Sequence, residues 1–398
     1  MSNRILYLSP YFWPEEIGSA SYCTEMAVWL QEQGHTVHVV AFRPHYPNAE
    51  QFRAWADGSH DNDRLDGILI RRVPVTDRGR GGFRDRLKND LSFLWHVCRR
   101  ALHGEFRKTD VVVAFVPCTL TLYGALVVRL LTGARIIAVI HDIESGLAGS
   151  LGLVTNRAFL FFLRLAERIG LNRADQVVVL TEGMKLEIRD IGCSRPISVL
   201  PIWATLPPAC PVAMNGAAVV MYSGNFGKKQ NLDQLIPLIR RLSDEKNSIR
   251  IVLRGDGSER ERIKNQLEKA QVANTDFLPL APAELLMTTL QSAHIHLVPQ
   301  ALNVANYALP SKLFSIMSAG RPFVSIAEGG SPLHDLTQQS GAGICVQPGD
   351  EEALYRAVVD LSGDIDRQTS MGESGRRFVD RYMNKQTILR CYDDLISS

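Results

Sequence analysis

The chain has 398 residues, of which 45% are hydrophobic and 22% charged, and its net charge is +2. That length favours two domains over one, the apolar share supports real cores, and the near-neutral balance excludes a polyanion binder, so no nucleic-acid partner is expected. No run of about 18 apolar residues occurs, which argues against a membrane-spanning helix; the nearest approach, Ala158 to Leu165, is short and carries Arg164. The opening MSNRILYLSPYF lacks the apolar core of a signal peptide. Seven cysteines without a C-x-x-C are read as reduced thiols of a cytoplasmic protein.

The first half begins with a strand, Arg4 to Leu8, a loop, SPYFWPEEIGSAS, a helix from about Tyr22 to Gln33 closed by Gly34, and a strand from Thr36 to Phe42. Those strands are too uniformly apolar for one wet face and read as a βαβ start. Further strands are expected at Ile68–Val73, Val111–Phe115, Ile136–Ile140, Gln176–Leu180 and Ile197–Leu200, with helices between them. Alternation of this kind predicts a parallel, doubly wound sheet. Between Arg71 and Lys108 lie eleven Lys/Arg against four Asp/Glu. From Arg84 onward Leu87, Leu91, Leu94, Trp95, Cys98 and Leu102 follow helical spacing. Such a stripe ordinarily packs on a sheet; the other reading is an interfacial helix on an anionic membrane surface. Both stay open at this point.

From Pro201 to Asn215 the composition becomes proline-rich and reads as a linker. A second series starts at Val219–Tyr222 and continues with strands at Ile249–Leu253, Thr275–Leu278, Ile295–Val298, Phe323–Ile326 and Gly343–Val346. Helices are expected at Gly257–Ala270, at Pro282–Ser292 and from Glu373 to about Ser397. The fold class is therefore α/β, with two Rossmann-like doubly wound domains facing a central cleft. The domains are placed at 1–203 and 204–375, followed by a terminal helix over 376–398. Ligands in such sheets sit at the carboxyl ends of strands.

Strand-end loops carry the chemistry. Gly18-Ser19 precedes a helix, where bare backbone can approach a phosphate or sugar, although one glycine is a weak signal and no G-x-G-x-x-G occurs. His141-Asp142 ends the apolar strand RIIAVI; Asp142 is read as fixing the backbone or capping the next turn, and His141 as a donor to a sugar hydroxyl or carbonyl, against the commoner structural role of a lone histidine. SGNFGKKQN, Ser223 to Asn231, gathers Asn225, Lys228 and Lys229 at one turn of positive charge and free amides. RGDGSERERI, Arg254 to Ile263, aims Arg254 at the cleft and lets Gly255 and Gly257 approach a base or ribose, with Ser258 as cap and Glu261 three residues on.

ALPSKLFSIMSAGRPFVSI, Ala308 to Ile326, reads as loop, short helix and buried strand. Pro310 suits the first turn, Ser311 can accept from free amides, and Gly320 stops the helix. Lys312 beside that helix start makes a site for a phosphate, which points to a nucleotide or nucleotide sugar. No metal site is expected: the chain is read as having neither H-E-x-x-H nor a D-x-D pattern, and Cys and His as too dispersed for a zinc cage. G-x-S-x-G is absent too. Phosphate charge would then be met by lysines, arginine and amides.

Taken in order and nearly end to end, these motifs resemble the family-4 retaining glycosyltransferases with the GT-B fold, in their bacterial envelope-polysaccharide branch. The matching stretches are SPYFWPEEIGSAS with EQGHTVHVV, the strand-end HD, LTEGMK followed by VLPIWAT, YSGNFGKKQNLDQLI, VLRGDGSERERI, FLPLAPAELL and ALPSKLFSIMSAGRPFV. The resemblance implies a nucleoside-diphosphate sugar in the second domain, foremost a UDP sugar, as substrate rather than cofactor. It implies a lipid-linked or oligosaccharide acceptor in the first domain. Lys229, Arg254 and Lys312 would lie near the diphosphate, with Lys228, Asn225 and Ser311 beside them and Gly18 and Ser19 closing over it. Leu278 and Leu280 would hold the base, and His141 would touch the donor sugar. The last helix would cross back to the first domain.

Where many relatives carry a pair of glutamates, this chain has Tyr307 and Ser315; Ser315 keeps a hydroxyl for a ribose. Asn225 and Gln230 stand where an arginine and a lysine are usual. The implied enzyme is a metal-independent, retaining glycosyltransferase of exopolysaccharide, capsule or O-antigen assembly, cytoplasmic and peripheral on the inner face of the membrane. Its rivals are a sugar-nucleotide epimerase and a non-catalytic sugar-nucleotide-binding subunit.

Overall fold

The computed structural model describes the chain apart from residues 1, 17, 46–48, 76–82, 153, 155, 205–208, 210–215, 305, 306 and 308, and gives residues 83, 84, 86 and 283 by their main chain alone. Most of the expected linker, Cys210 and the first residue of the 308–326 stretch thus lie outside the described residues. The chain forms two compact units, Met1–Ile202 with Gln386–Ser398, and Trp203–Lys385.

The first unit runs β1 (Arg4–Leu8), α1 (Ala20–Glu32), β2 (Thr36–Phe42), β3 (Asn62–Leu65), β4 (Ile68–Val73), α2 (Phe83–Leu102), β5 (Val111–Val116), α3 (Leu120–Thr132), β6 (Arg135–Ile140), α4 (Glu144–Ser150), α5 (Arg157–Leu171), β7 (Gln176–Val179), α6 (Glu182–Ile191) and β8 (Ile197–Val199). Its sheet has the order β3-β4-β2-β1-β5-β6-β7-β8 and is parallel except for β3 against β4. The sequence VVVAFV of β5 is buried at every position, which is what a strand covered on both faces requires. Sequence reading missed β3, because Asn-Asp-Arg-Leu has no apolar alternation. Pairing to β4 makes it a strand, and its charges suit a sheet edge.

The links from β4 through β8 all step one way across the sheet, and right-handed crossovers then put their helices on one face. Accordingly α3 packs against α2 and α5, and α5 against α6. On α2 the buried apolar side chains are Phe93, Val97 and Ala101, while Leu87, Leu91, Trp95 and Leu102 stand exposed. The helix is where periodicity predicts it, but the stripe named from the sequence is largely its outer face.

The second unit runs β9 (Val219–Ser223), α7 (Ile236–Asp244), β10 (Arg250–Arg254), α8 (Arg260–Lys269), β11 (Thr275–Leu278), α9 (Leu286–Gln291), β12 (Ile295–Pro299), α10 (Lys312–Ser318), β13 (Phe323–Ile326), α11 (Pro332–Ser340), β14 (Gly343–Val346), α12 (Glu351–Ser362) and α13 (Ile365–Tyr382). The sheet is parallel, in the order β11-β10-β9-β12-β13-β14. Its core joins Val220, Tyr222, Ile251, Leu253, Leu297 and Val324 from the strands to Leu238, Ile239 and Val358 from the helices.

Two helix expectations need correction. Residues 282–292 form a 3₁₀ turn, Ala283–Leu285, before the short α9. The closing stretch is two helices, α13 and α14 (Lys385–Ser397), broken after Tyr382. The second of them belongs to the first unit. There His35 Nδ1 accepts from the Asn3 amide at 3.0 Å, so its Nε2 carries the proton and donates to Asp393 of α14 at 2.8 Å.

Helix α13 crosses α10 closely enough that a Cβ at Gly372 would fall 2.1 Å from the Gly320 carbonyl oxygen. Neither backbone can yield without moving a helix. Gly372→Ala is expected to lower stability by about 2–4 kcal/mol, read as a fall in the denaturant midpoint at unchanged slope.

Candidate functional site

Strand order reverses once in each sheet: β1 lies between β2 and β5, and β9 between β10 and β12. Connections leaving such a pair go to opposite faces and open a crevice at the carboxyl ends of the two strands. The second unit's reversal brings together the turn after β9 and the chain after β12. The Ala301 amide donates to the Lys229 carbonyl at 2.8 Å, tying these two segments.

Lys312 opens α10 and folds over that turn. Its Nζ lies 3.6 Å from the centre of the Tyr222 ring, and a Cβ at Gly224 would sit 3.4 Å from its Cδ. The ring is fixed in turn, because the Tyr222 hydroxyl donates to the Asn225 carbonyl at 2.5 Å. Nζ is covered and has no hydrogen-bond partner among the described residues. Burial drives this ammonium well below the ordinary lysine pKa. An aromatic face returns part of the lost hydration, but a buried cation without an acceptor stays costly. An anion arriving at the turn would remove that cost.

The other residues of this unit named from sequence gather at the same carboxyl edge, with different roles from those expected. Arg254 ends β10, yet its Nη1 donates to the Pro279 carbonyl at 2.8 Å, which draws the guanidinium along the neighbouring strand end. Gly255 serves the protein itself, since a Cβ there would fall 1.8 Å from the Gly224 carbonyl oxygen. At Gly257 a Cβ would fall 2.5 Å from the Asn225 Oδ1 and 2.6 Å from the Phe226 carbonyl oxygen. The two glycines let the turns after β9 and β10 nest. Ser258 does not cap α8: the helix starts after Glu259 without a side-chain cap, the Glu259 amide donating instead to the Phe226 carbonyl at 2.9 Å.

Ser311 makes no side-chain cap either. At seven residues α10 is under two turns, so its dipole adds little. Gly320 does take the left-handed conformation, φ +67°. Ser315 is half-buried, one turn on from Ser311. Asn225 and Lys228 are exposed and Lys229 half-buried. The Leu278 carbonyl accepts from Gly255 at 3.0 Å, and its side chain packs beside Met221, Val252 and Ala293. Leu280 is half-buried just beyond the strand.

In the first unit Gly18 is exposed at φ +67°, and a Cβ there would meet nothing within 4 Å. Ser19 stands at the start of α1 without a side-chain cap. His141 follows β6, its ring 4.7 Å from that of Phe115 and 6.2 Å from Tyr22 of α1. Burial pushes its pKa down to about 4, with Asp142 pulling weakly the other way. It is therefore neutral near pH 7, fit to give or take one hydrogen bond rather than to act as a cation.

Two D-x-D triplets are in fact present, Asp61–Asp63 and Asp364–Asp366. Asp61 is held by Arg43 through two bonds of 2.7 Å, and Asp364 caps α13. One group with metal-ligand spacing exists among the described residues: Asp90, Cys118 and Glu144, whose ligand atoms lie within 4.8 Å of one another. Glu144 there already accepts from the Thr119 amide and hydroxyl, each at 2.8 Å. Burial and both carboxylates push the Cys118 thiol well up, which favours a neutral S–H. Sequence reading missed this group because its members are far apart in the chain. It also missed Tyr222, which reads as one more apolar strand residue in VVMYS.

Two sequence families match the chain, Glycosyl transferase 4-like domain over residues 18–203 and Glycosyl transferases group 1 over residues 212–378. The chain belongs to the glycosyltransferases with the GT-B fold. Among curated relatives, the putative colanic acid biosynthesis glycosyl transferase WcaI of Escherichia coli K12 is 27% identical, over 97% of this chain and 98% of that protein. The probable glycosyltransferase WbjE of Pseudomonas aeruginosa is 22% identical over 68% of this chain and 70% of that one. Similar solved structures include sucrose-phosphate synthase from Thermosynechococcus elongatus, with a TM-score of 0.79 at 16% identity, covering 99% of this chain and 98% of that one. Anabaena HepE, solved with UDP and glucose, gives a TM-score of 0.73 at 15% identity over the whole of both chains.

In this glycosyltransferase the buried ammonium gives a stability signature. Between the lowered value of Lys312 and its ordinary 10.5, the unfolded chain binds one more proton than the folded chain, so ligand-free stability rises with pH across that window. Lys312→Met removes the charge at similar volume. The variant is expected to be more stable than the parent by about 1 kcal/mol or more at neutral pH, with the gap narrowing towards pH 10 in urea melts.

Proposed function

We propose that this glycosyltransferase moves a sugar from a nucleoside-diphosphate sugar, foremost a UDP sugar, to a lipid-linked glycan, with retention at the anomeric carbon, in the assembly of a bacterial envelope polysaccharide. The observation that carries the proposal is the covered, unpaired Nζ of Lys312 at the strand reversal of the second unit. A diphosphate supplies what that group lacks. The name of the WcaI relative, which concerns colanic acid biosynthesis, supports the pathway class. UDP bound to HepE supports the donor class.

The chemistry follows from charge. The bond from the anomeric carbon to the phosphate oxygen breaks, and both electrons leave with the diphosphate. The acceptor oxygen bonds to that carbon on the same face, and its proton passes to the departing phosphate oxygen. No protein base is required. The growing negative charge is met by Lys312 and Lys229, with Lys228, Asn225 and Ser311 near the phosphates and Arg254 beside them, so the chain's own cations do the work. Anion binding also favours the protonated form of Lys312. Leu278 and Leu280 line the base, and the Ser315 hydroxyl serves the ribose where relatives have a carboxylate. In the first unit, neutral His141 hydrogen-bonds a sugar hydroxyl, and Gly18 and Ser19 offer main chain to the ligand.

A thermal-shift panel of UDP, GDP and dTDP sugars identifies the donor, and NMR of the product's anomeric proton reads retention. Lys312→Ala is expected to weaken UDP binding and lower transfer about 30-fold or more while the fold persists. Near-normal turnover in that variant would remove the phosphate assignment. Donor binding without transfer to any lipid-linked acceptor would favour a non-catalytic subunit, a reading that Tyr307 and Ser315 in place of carboxylates keep in play. Release of UDP from donor alone, with an epimerised sugar, would favour an epimerase.

A further inference from the structure

Exposed apolar surface is concentrated on one side of the first unit. Sixteen large apolar side chains stand exposed among the described residues, and twelve of them belong to α2, α3, α5 and α6. Those four helices belong, with the short α4, to the layer on one face of the sheet. Trp95 of α2 is 66% exposed, Leu130 of α3 83%, Phe161 and Phe162 of α5 63% and 64%, and Leu186 of α6 69%. Isolated apolar residues on a surface need no explanation, but this number on one layer does.

Helix α5 has the most distinct character. Asn156 caps it, accepting from the Ala158 and Phe159 amides. Gly170 seats it against Leu122 of α3. The outer side then carries Phe161, Phe162, Leu165 and Ile169 together with exposed Arg157, Arg164 and Arg168. Its one carboxylate, Glu167, is buried and accepts from the Ser145 amide at 3.0 Å. The exposed side of α5 therefore holds aromatic rings and guanidiniums and no negative charge. At 15 residues it is about 22 Å long, too short to cross a bilayer. No helix among the described residues is long and apolar enough to do so.

We propose that this helical layer, centred on α5, rests on an anionic lipid bilayer, with Phe161 and Phe162 in the acyl boundary and Arg157 and Arg168 at the phosphates. Charge selects this occupant over a second copy of the chain. A two-fold contact centred on α5 would set its three arginines against the same three, with no exposed carboxylate of α5 between them; Asp190 of α6 is already paired with Arg164 at 2.5 Å. A bilayer of anionic lipid takes both the rings and the cations, and the long arginine stems reach the head groups from a buried helix. The surface shares no residue with the donor turns, so its failure would leave the donor reading intact.

The test is sedimentation of the full chain with vesicles of phosphatidylcholine, alone or mixed with phosphatidylglycerol. Binding to the mixed vesicles is expected, weakened by salt. Phe161→Ser with Phe162→Ser should lower partitioning about tenfold or more. Arg157→Gln with Arg168→Gln should erase the preference for anionic vesicles. Both double variants should keep the parent melting temperature and UDP affinity, which separates this surface from folding and from the donor site. Absence of wild-type binding to anionic vesicles at low salt would overturn the proposal. So would unchanged binding by the double serine variant, or a lipid-free dimer that this variant dissolves, which would assign the face to a second copy.

Discussion

A lysine ammonium held over an aromatic ring, with no hydrogen-bond acceptor among the described residues, is the constraint around which the second unit is arranged. Tyr222 supplies the ring from the end of β9, and α10 supplies Lys312. Two turns must lie almost in contact for this to hold, which is why Gly255 and Gly257 have no room for a side chain. The Ala301–Lys229 bond closes the third side. Each contact is ordinary, but together they hold a cation where water does not satisfy it. Such an arrangement lowers the stability of the empty protein and favours an anion strongly. The cost of the empty site and the affinity for a diphosphate are thus one property seen in two states.

The first unit presents a complementary chemistry. His141 lies against Phe115 and near Tyr22, and burial lowers its pKa so that it is neutral near pH 7. It can orient a hydroxyl and cannot compete with the lysines for negative charge. On the proposed reading, the cationic groups of the second unit would meet the leaving group and the neutral polar groups of the first would meet sugars. The outer helical layer of the first unit adds a third surface, distinct from both in its rings and arginines.

Much of the fold was legible because parallel strands buried on both faces are uniform apolar runs. Arg4–Leu8, Thr36–Phe42, Ile68–Val73, Thr275–Leu278, Phe323–Ile326 and Gly343–Val346 stand where the sequence predicts them. The strand without such a run, Asn62–Leu65, was invisible because only pairing makes it a strand. Helix starts were less legible: Ser258 and Ser311 look like caps, but neighbouring backbone competes for the amides, and tertiary contacts decided. On α2 periodicity found the helix and left open which way its stripe faces; the side chains buried are Phe93, Val97 and Ala101 instead, since two apolar stripes share the helix and only the sheet's position tells them apart. Strand-end turns marked where the candidate site lies. What sequence could not show is that Lys312 points onto Tyr222 rather than into water, because that depends on the nesting of two turns distant in the chain.

The most direct measurement is an NMR titration of the Lys312 side chain, assigned by comparison with Lys312→Met, in the free protein and with UDP bound. The account predicts a pKa well below the ordinary lysine value in the free protein and a return towards that value when the diphosphate binds. An ordinary lysine pKa in the free protein, or a lowered one that UDP leaves unchanged, would contradict it.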